Sequence, residues 1–390
     1  MKTVATICRL NGGIDMSQAK AKYMVTSGFL GAGKTTSMIA FAHVIDKRYG
    51  KAAILVNDLG ADNIVDASFT ATTDILTMQI AGDCICYQHE NLVDKLNQLV
   101  DQGATVIMSD IPGCGIGALE HVYLQLAERR PGEFDLMPFT CIVDPERLRL
   151  LMPEAEQINL PAEMRFLLEA QMAEADIIVL NKVDLISVEE QEKRVEFIKA
   201  SFPDTPVFSM SALTGEGVEE VVDYLMTHKA AAVHREIGYG SEAFIAAENL
   251  LSWYNRRVFF EERDDKNIDF NKVVEDIFNH VREGLKANDS NVPHLKAFAA
   301  GEGDDFVKAS LIGIDYDVEY DRKLTQPYSA ISLVINARAV ADSHVMADIV
   351  EDALVAIADK YNLRTRTFFV ETFGMMEEGR GDGGRASRYE

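Results

Sequence analysis

The chain reads as an α/β protein: a doubly wound, mostly parallel sheet of P-loop type, followed by a smaller α+β domain of split βαβ order. Three observations predict this. Short apolar runs alternate with amphipathic stretches from Lys22 to about Thr227. A glycine-rich turn ending in a lysine joins the first run to the first amphipathic stretch. The rhythm changes after about Lys229, where strands begin to follow one another directly. Alternation at the earlier spacing builds a parallel sheet covered on both faces.

In order, the predicted strands of the first part are Tyr23–Ser27, Ala52–Asn57, Thr105–Asp110, Phe139–Val143, Ile177–Asn181 and Val207–Ser211. Ile177-Ile178-Val179-Leu180 is wholly apolar, as burial on both faces requires. Helical spacing covers Thr35–Tyr49, Asn91–Gln102, Ala118–Arg129, Ala162–Ala173, Glu189–Ser201 and Gly217–Thr227. Ala230–Glu248, with Gly238, Gly240 and Ser241, reads as a linker or irregular stretch. Beyond it come a strand (Leu250–Glu261), a helix (Phe270–Leu285), three strands (His294–Ala299, Phe306–Asp315, Ala330–Ala337), a helix (Val345–Tyr361) and a strand (Arg366–Phe373). With one strand set aside as a hairpin arm, the order is β-α-β-β-α-β. The expected divisions are an extension over 1–21, a first domain over 22–232, a linker over 233–248, a second domain over 249–376, and a disordered tail over 377–390 rich in Gly, Arg and Asp.

Composition narrows the partners. A chain of 390 residues exceeds the size at which one core stops growing, so two domains are expected. With 62 acidic and 38 basic side chains the net charge is −24, which repels nucleic acid and anionic membranes alike. Neither is an expected partner. No apolar run approaches the ~18–20 residues that span a bilayer, and Met1–Thr26 has no signal-peptide core. Five cysteines, an odd count, do not describe a disulfide framework. A cytoplasmic, reducing setting is the expectation.

Gly28-Phe29-Leu30-Gly31-Ala32-Gly33-Lys34-Thr35 matches G-x-x-x-x-G-K-[ST] after a predicted strand and before a predicted helix. In that context Gly28, Gly31, Ala32, Gly33 and Thr36 would wrap backbone N–H groups around phosphate oxygens. Lys34 would reach the β- and γ-phosphates, and Thr35 would place its hydroxyl on Mg²⁺. Asp110, ending a strand before Ile111-Pro112-Gly113, fits the metal-bridging carboxylate, and the Gly113 N–H would sense the γ-phosphate. Asn181-Lys182-Val183-Asp184 ends a later strand, and a carboxylate there can accept from both guanine N1–H and the 2-amino group. Ser211-Ala212-Leu213 ends the next strand, where a backbone N–H could meet guanine O6. Together these segments point to GTP with Mg²⁺ rather than ATP.

Across about 24–232 the chain resembles the CobW-like P-loop GTPases, relatives of the nickel-insertion GTPases that serve urease and hydrogenase. The resemblance is carried by Gly28–Thr36, by Asn57-Asp58-Leu59-Gly60, by Cys84-Ile85-Cys86 and by Gln171 to Asp184 with Ala175-Asp176. Leu251-Ser252-Trp253-Tyr254 through Phe260 is loosely similar to that family's second domain. The resemblance implies slow GTP hydrolysis coupled to delivery of a metal, or of a metal-containing cofactor such as cobalamin, to a client enzyme. Two positions depart from the pattern: Tyr87 replaces a third cysteine, and Ala61 replaces an acidic residue, with Asp62 beside it.

Cys84 and Cys86 could share Zn²⁺, Co²⁺ or Ni²⁺, but stable sites usually have three or four ligands. Asp83, His89, Asp58 and Cys114 are the nearby candidates. The competing reading makes both cysteines small packing residues. Asp58 lies in the segment equivalent to a first switch and would position the attacking water or the metal. No built-in arginine finger is evident, so a partner or a homodimer mate would supply any activating group. Three roles compete: a metallochaperone, a chaperone of a cobalamin-dependent enzyme without a transition metal of its own, and a GTP-switched binding module.

Overall fold

A computed structural model describes residues 20–58, 65–82, 84–112, 115–153, 161–290 and 294–374, Asp58 by its backbone alone. The expected tail, Gly113, Asp83 and Cys114 lie outside these residues. Two sheets organise the chain. The first runs β3-β2-β4-β1-β6-β7-β8, with a short β5 also pairing with β1. Its strands are β1 (Ala21–Ser27), β2 (Ala52–Asp58), β3 (Leu76–Ala81), β4 (Val106–Asp110), β5 (Phe134–Leu136), β6 (Thr140–Val143), β7 (Ile177–Leu180) and β8 (Val207–Ser209). Every pairing among them is parallel. Helices α1 (Lys34–Arg48), α3 (His89–Asp101), α6 (Ala162–Glu174), α7 (Val188–Ser201) and α8 (Val218–Thr227) flank it, with shorter α2 (Val65–Thr70), α4 (Gln125–Arg129) and α5 (Pro145–Arg149). The sheet separates two apolar layers. One gathers Tyr23, Leu55, Ile107 and Ile178, the other Met24, Ile54, Met108 and Val179.

The second sheet is antiparallel, in the order β12-β11-β10-β13-β9-β14. Its strands are β9 (Leu251–Glu262), β10 (His294–Ala300), β11 (Phe306–Leu311), β12 (Glu319–Arg322), β13 (Ala330–Val340) and β14 (Leu363–Gly374), with α10 (Phe270–Ala287) and α11 (Ser343–Lys360) between them. Removing β11 and β12 leaves β-α-β-β-α-β with β13 between β10 and β9, the split arrangement expected. The hairpin arm holds two strands where the sequence reading set aside one. Tyr254, Leu295, Val307 and Ile335 pack one face against Phe278 of α10 and Val350 of α11. The opposite face turns toward the first sheet.

The stretch read as irregular at Ala230–Glu248 contains most of a helix, α9 (Glu242–Asn249). Ser241 caps it by accepting from the Phe244 N–H at 3.2 Å, and Phe244 and Ala247 are buried. The preceding glycines hid this start. β3 and β5 were also not anticipated: β3 is half-buried at an edge, and β5 has three residues. No helix among the described residues is long and apolar enough to cross a membrane.

Candidate functional site

In a parallel sheet, ligand sites form beyond the carboxyl ends of the strands, near the point where strand order reverses. Here β1 is central, and its C-terminal end leads into Gly28–Gly33 and then α1. Two glycines are dictated by crowding. Gly28 has φ 129°, and a Cβ there would lie 2.0 Å from the Ile142 carbonyl oxygen. Gly33 has φ 93°, and its Cβ would lie 2.5 Å from Asn181 Nδ2. Lys34 folds over the loop, its Nζ donating to the carbonyls of Gly28 at 2.7 Å and Phe29 at 3.3 Å.

Asn181 fastens the loop to its neighbour. Its Nδ2 donates to the Ala32 carbonyl at 2.9 Å, and its Oδ1 accepts from the Ala212 N–H at 2.9 Å. The Ala212 N–H is thus engaged with Asn181, while Ser211 Oγ accepts from the Thr214 N–H at 3.1 Å. Lys182 takes left-handed backbone geometry and pairs with Glu319 at 2.7 Å. Leu185 and Leu213 are 56% and 61% exposed and form an apolar pair at the rim beside Asp184.

Asp110 ends β4, buried, with Oδ1 accepting from the Asn57 N–H at 2.9 Å. Thr35 and Asp110 line the same cavity, a hydroxyl and a carboxylate, the hard oxygen donors that suit Mg²⁺. Asn57 also reaches the other way: its Oδ1 accepts from the Ile85 N–H at 3.0 Å, between the two cysteines. The Cys84 and Cys86 sulfurs lie 3.0 Å apart and both residues are 7% exposed. The hydrogen bond shared with Cys84, then burial, pushes the Cys86 thiol well up. No group of three or more His, Cys, Asp or Glu side chains among the described residues could hold a metal ion, so His89 does not complete a site with them. Tyr87, at the third-cysteine position, hydrogen-bonds through its hydroxyl to Tyr239.

One cavity of about 330 Å³ gathers Gly31, Gly33, Lys34, Thr35, Thr36, Asp110, Asn181, Lys182, Asp184, Ala212 and Leu213. Gly28 and Ala32 support it from the loop behind, and Ser211 through the turn after β8. Its far wall belongs to the second sheet. Trp253, His294, Lys296, Lys308, Ser310, Glu319, Asp321, Asn336 and Arg338 all line it. Strand pairing explains their grouping: His294 lies opposite Arg338, Lys296 opposite both Asn336 and Ser310, and Arg338 opposite Trp253. They share the face that α10 and α11 do not cover.

This wall is electropositive. Burial, then the charges of Lys296, Arg147, Lys34 and Arg338, push His294 well below the usual imidazole range, and its Nε2 has no hydrogen-bond partner among the described residues. Burial would raise the Asp66 carboxyl, but Lys296, Lys308 and Lys34 outweigh it and bring it down to about 2. Lys296 pairs with Asp66 at 2.5 Å, and the Val65 N–H donates to Asn336 Oδ1 at 2.7 Å. The sequence reading missed these residues. Their signal was available: Lys296, Lys308, Asn336 and Arg338 interrupt otherwise apolar strands, and a buried cation inside a strand needs a partner.

The family model for the CobW/HypB/UreG nucleotide-binding domain matches residues 22–209. Among solved structures, the chain is similar to the hydrogenase maturation factor HypB from Archaeoglobus fulgidus, at 18% identity over 53% of this chain and 89% of that one, with a TM-score of 0.36. HypB from Helicobacter pylori in complex with nickel gives 17%, 54%, 92% and 0.37. Zn(II)-bound YjiA GTPase from E. coli gives 15%, 86%, 98% and 0.33. Residues 22–209 are thus a nucleotide-binding domain of the CobW/HypB/UreG family of P-loop GTPases.

Proposed function

We propose that the protein binds and hydrolyses Mg²⁺·GTP in the cavity at the carboxyl ends of β1, β4 and β7, and couples nucleotide state to delivery of a metal or metal-containing cofactor to a client enzyme. The observation that carries the nucleotide reading is the convergence of Lys34, Thr35, Asp110, Asn181, Lys182 and Asp184 on one cavity. Lys34 would exchange its two loop carbonyls for phosphate oxygens. Asp184, with Leu185 and Leu213 beside it, would hold a purine between apolar side chains and read its N1–H and 2-amino groups. Thr35 and Asp110 would hold Mg²⁺, which would supply positive charge to offset that of the phosphates. Asp58 keeps its proposed role in positioning the attacking water, and Gly113 that of γ-phosphate sensor.

Asn57 supports the coupling. One side of it holds the carboxylate assigned to Mg²⁺, and the other holds the backbone between Cys84 and Cys86. A shift of Asp110 on phosphate loss would therefore reach the thiols through one residue.

Lys34→Ala should abolish binding of a fluorescent GTP analogue, and an unaltered affinity would overturn the site. Asp184→Asn should move preference from guanine toward xanthine nucleotide. For the delivered cargo, titration with Co²⁺ or Ni²⁺ separates two roles. A thiolate charge-transfer band lost in Cys84→Ser supports carriage of metal by Cys84 and Cys86. The second reading, a chaperone for a cobalamin-dependent enzyme with no transition metal of its own, is favoured by the engagement of Tyr87 with Tyr239 where a third thiol would be needed.

A further inference from the structure

The wall contributed by the second sheet contains a contact that the nucleotide reading leaves unexplained. Lys308 on β11 is 3% exposed, deeper than a lysine is found without a partner. Its Nζ lies 3.1 Å from Asp321 Oδ2 and 3.4 Å from Thr36 Oγ1, above the Phe69 ring at 3.7 Å. The Thr36 hydroxyl in turn donates to Asp321 Oδ1 at 3.3 Å. One carboxylate therefore receives hydrogen bonds from a residue of the phosphate-binding turn and from a lysine of the other sheet. Two residues earlier on the same short strand, Glu319 takes Lys182 from the base-reading segment.

Resting on the reading of this cavity as an Mg²⁺·GTP site, we propose that β12 is an internal anionic latch. Asp321 occupies the place of a nucleotide phosphate oxygen between Thr36 and Lys308, and Glu319 holds Lys182. Nucleotide entry displaces both carboxylates and transfers Lys308 to the phosphates, so that the second domain supplies a phosphate ligand in cis.

Charge and space both favour this. Among the described residues, five cationic side chains line the cavity, Lys34, Lys182, Lys296, Lys308 and Arg338, against five carboxylates, Asp66, Asp110, Asp184, Glu319 and Asp321. Mg²⁺·GTP carries about two net negative charges, and withdrawal of Glu319 and Asp321 leaves two cations to meet them. The cavity of about 330 Å³ is at the small end of the ~300–1,000 Å³ range of ligand pockets. Withdrawal of Asp321 enlarges it beside the phosphate-binding turn, and withdrawal of Glu319 enlarges it beside the base-reading segment. The strand is built to yield. β12 has four residues at the edge of its sheet, pairs through Lys308, Ala309 and Ser310 only, and its register shifts between Lys308 and Ala309. A bulge at a sheet edge marks weakened pairing.

The test is a titration of the full chain with a fluorescent GTP analogue and Mg²⁺, alongside steady-state GTP hydrolysis. Asp321→Asn should bind about tenfold more tightly than the unaltered protein, because a competing charge is removed. Lys308→Met should bind about tenfold more weakly and hydrolyse more slowly. A lysine that only balances Asp321 structurally predicts no gain in Asp321→Asn. Wild-type affinity in Asp321→Asn therefore overturns the latch even if Lys308→Met fails to fold. If the unaltered protein binds no GTP, the nucleotide reading falls together with the latch. If it binds GTP and both variants match it, only the latch falls.

Discussion

Glu174 ends α6 with its carboxylate turned inward, where Oε2 accepts from the Gly117 N–H at 2.9 Å and Oε1 from the Leu119 N–H at 2.7 Å. These two donors stand at the start of the helical turns Leu119–Leu124, which lead into α4 and follow the segment expected to sense the γ-phosphate. Burial pushes the carboxyl up to about 7, and the two N–H groups only partly offset it. A folded pKa raised above the unfolded value means that the group's contribution is complete below about pH 4.5 and is lost as pH rises through about 7. The full loss is on the order of 3 kcal/mol. Glutamine cannot ionise, and although its NH₂ opposes one of the two N–H donors, that cost does not change with pH. The melting temperature of Glu174→Gln relative to the unaltered protein should therefore rise between pH 5 and pH 8. A difference that is flat with pH would show that Glu174 is ionised throughout at no cost. Neither this residue nor Asn57 was legible as part of the site. Each acts through hydrogen bonds to backbone groups distant in sequence, and no motif spacing records such a contact.

At the scale of elements, α2 is where the two sheets touch most intimately. Val65 and Phe69 pack with Phe298, Phe306 and Val334 of β10, β11 and β13, and Phe306 meets Phe69 edge-on at 6.1 Å between ring centroids. Arg322 of β12 lies over the other partner of this cluster, 4.5 Å from the Phe306 ring centre. Truncating a buried phenylalanine costs about 3–5 kcal/mol. Phe306→Ala should lose stability on that order in chemical denaturation and loosen α2 together with β12. Faster amide exchange should then appear in both elements, and exchange confined to β11 would contradict their coupling. Elements with a strong apolar signal were legible, whether a continuous run as in Ile177–Leu180 or a helical period as in Phe270–Leu285. β12 was not. It has four residues, Glu-Tyr-Asp-Arg, with no apolar alternation, and its place is set by what it contacts.

Over the whole molecule the question is whether the division proposed near residue 232 separates two folding units. The main apolar layer of the first sheet does not stop there. It continues through Phe244 and Ala247 of α9 to Leu251 and Trp253 of β9 and Phe373 of β14. Polar contacts reinforce it at Lys182–Glu319, Lys296–Asp66, Arg149–Tyr316 and Val65–Asn336. The part of the proposed nucleotide site that the first sheet carries lies in contiguous motifs, so its residues could be named from the sequence. The rest of the cavity wall consists of single residues on strands more than 200 positions from the Gly28–Thr36 turn, and only the docking of the sheets brings them in. A cavity with walls from both sheets makes nucleotide a ligand of the joined state, and a ligand stabilises whatever state it binds. Calorimetry should accordingly show one unfolding transition, displaced upward as a whole by Mg²⁺·GTP. At a hundredfold excess over Kd the displacement corresponds to about 2.7 kcal/mol. Two transitions, of which nucleotide moves only one, would mean that the sheets unfold separately and that the second wall contributes nothing to binding. Lys34→Ala supplies the control, since it should remove the displacement and leave the single transition in place.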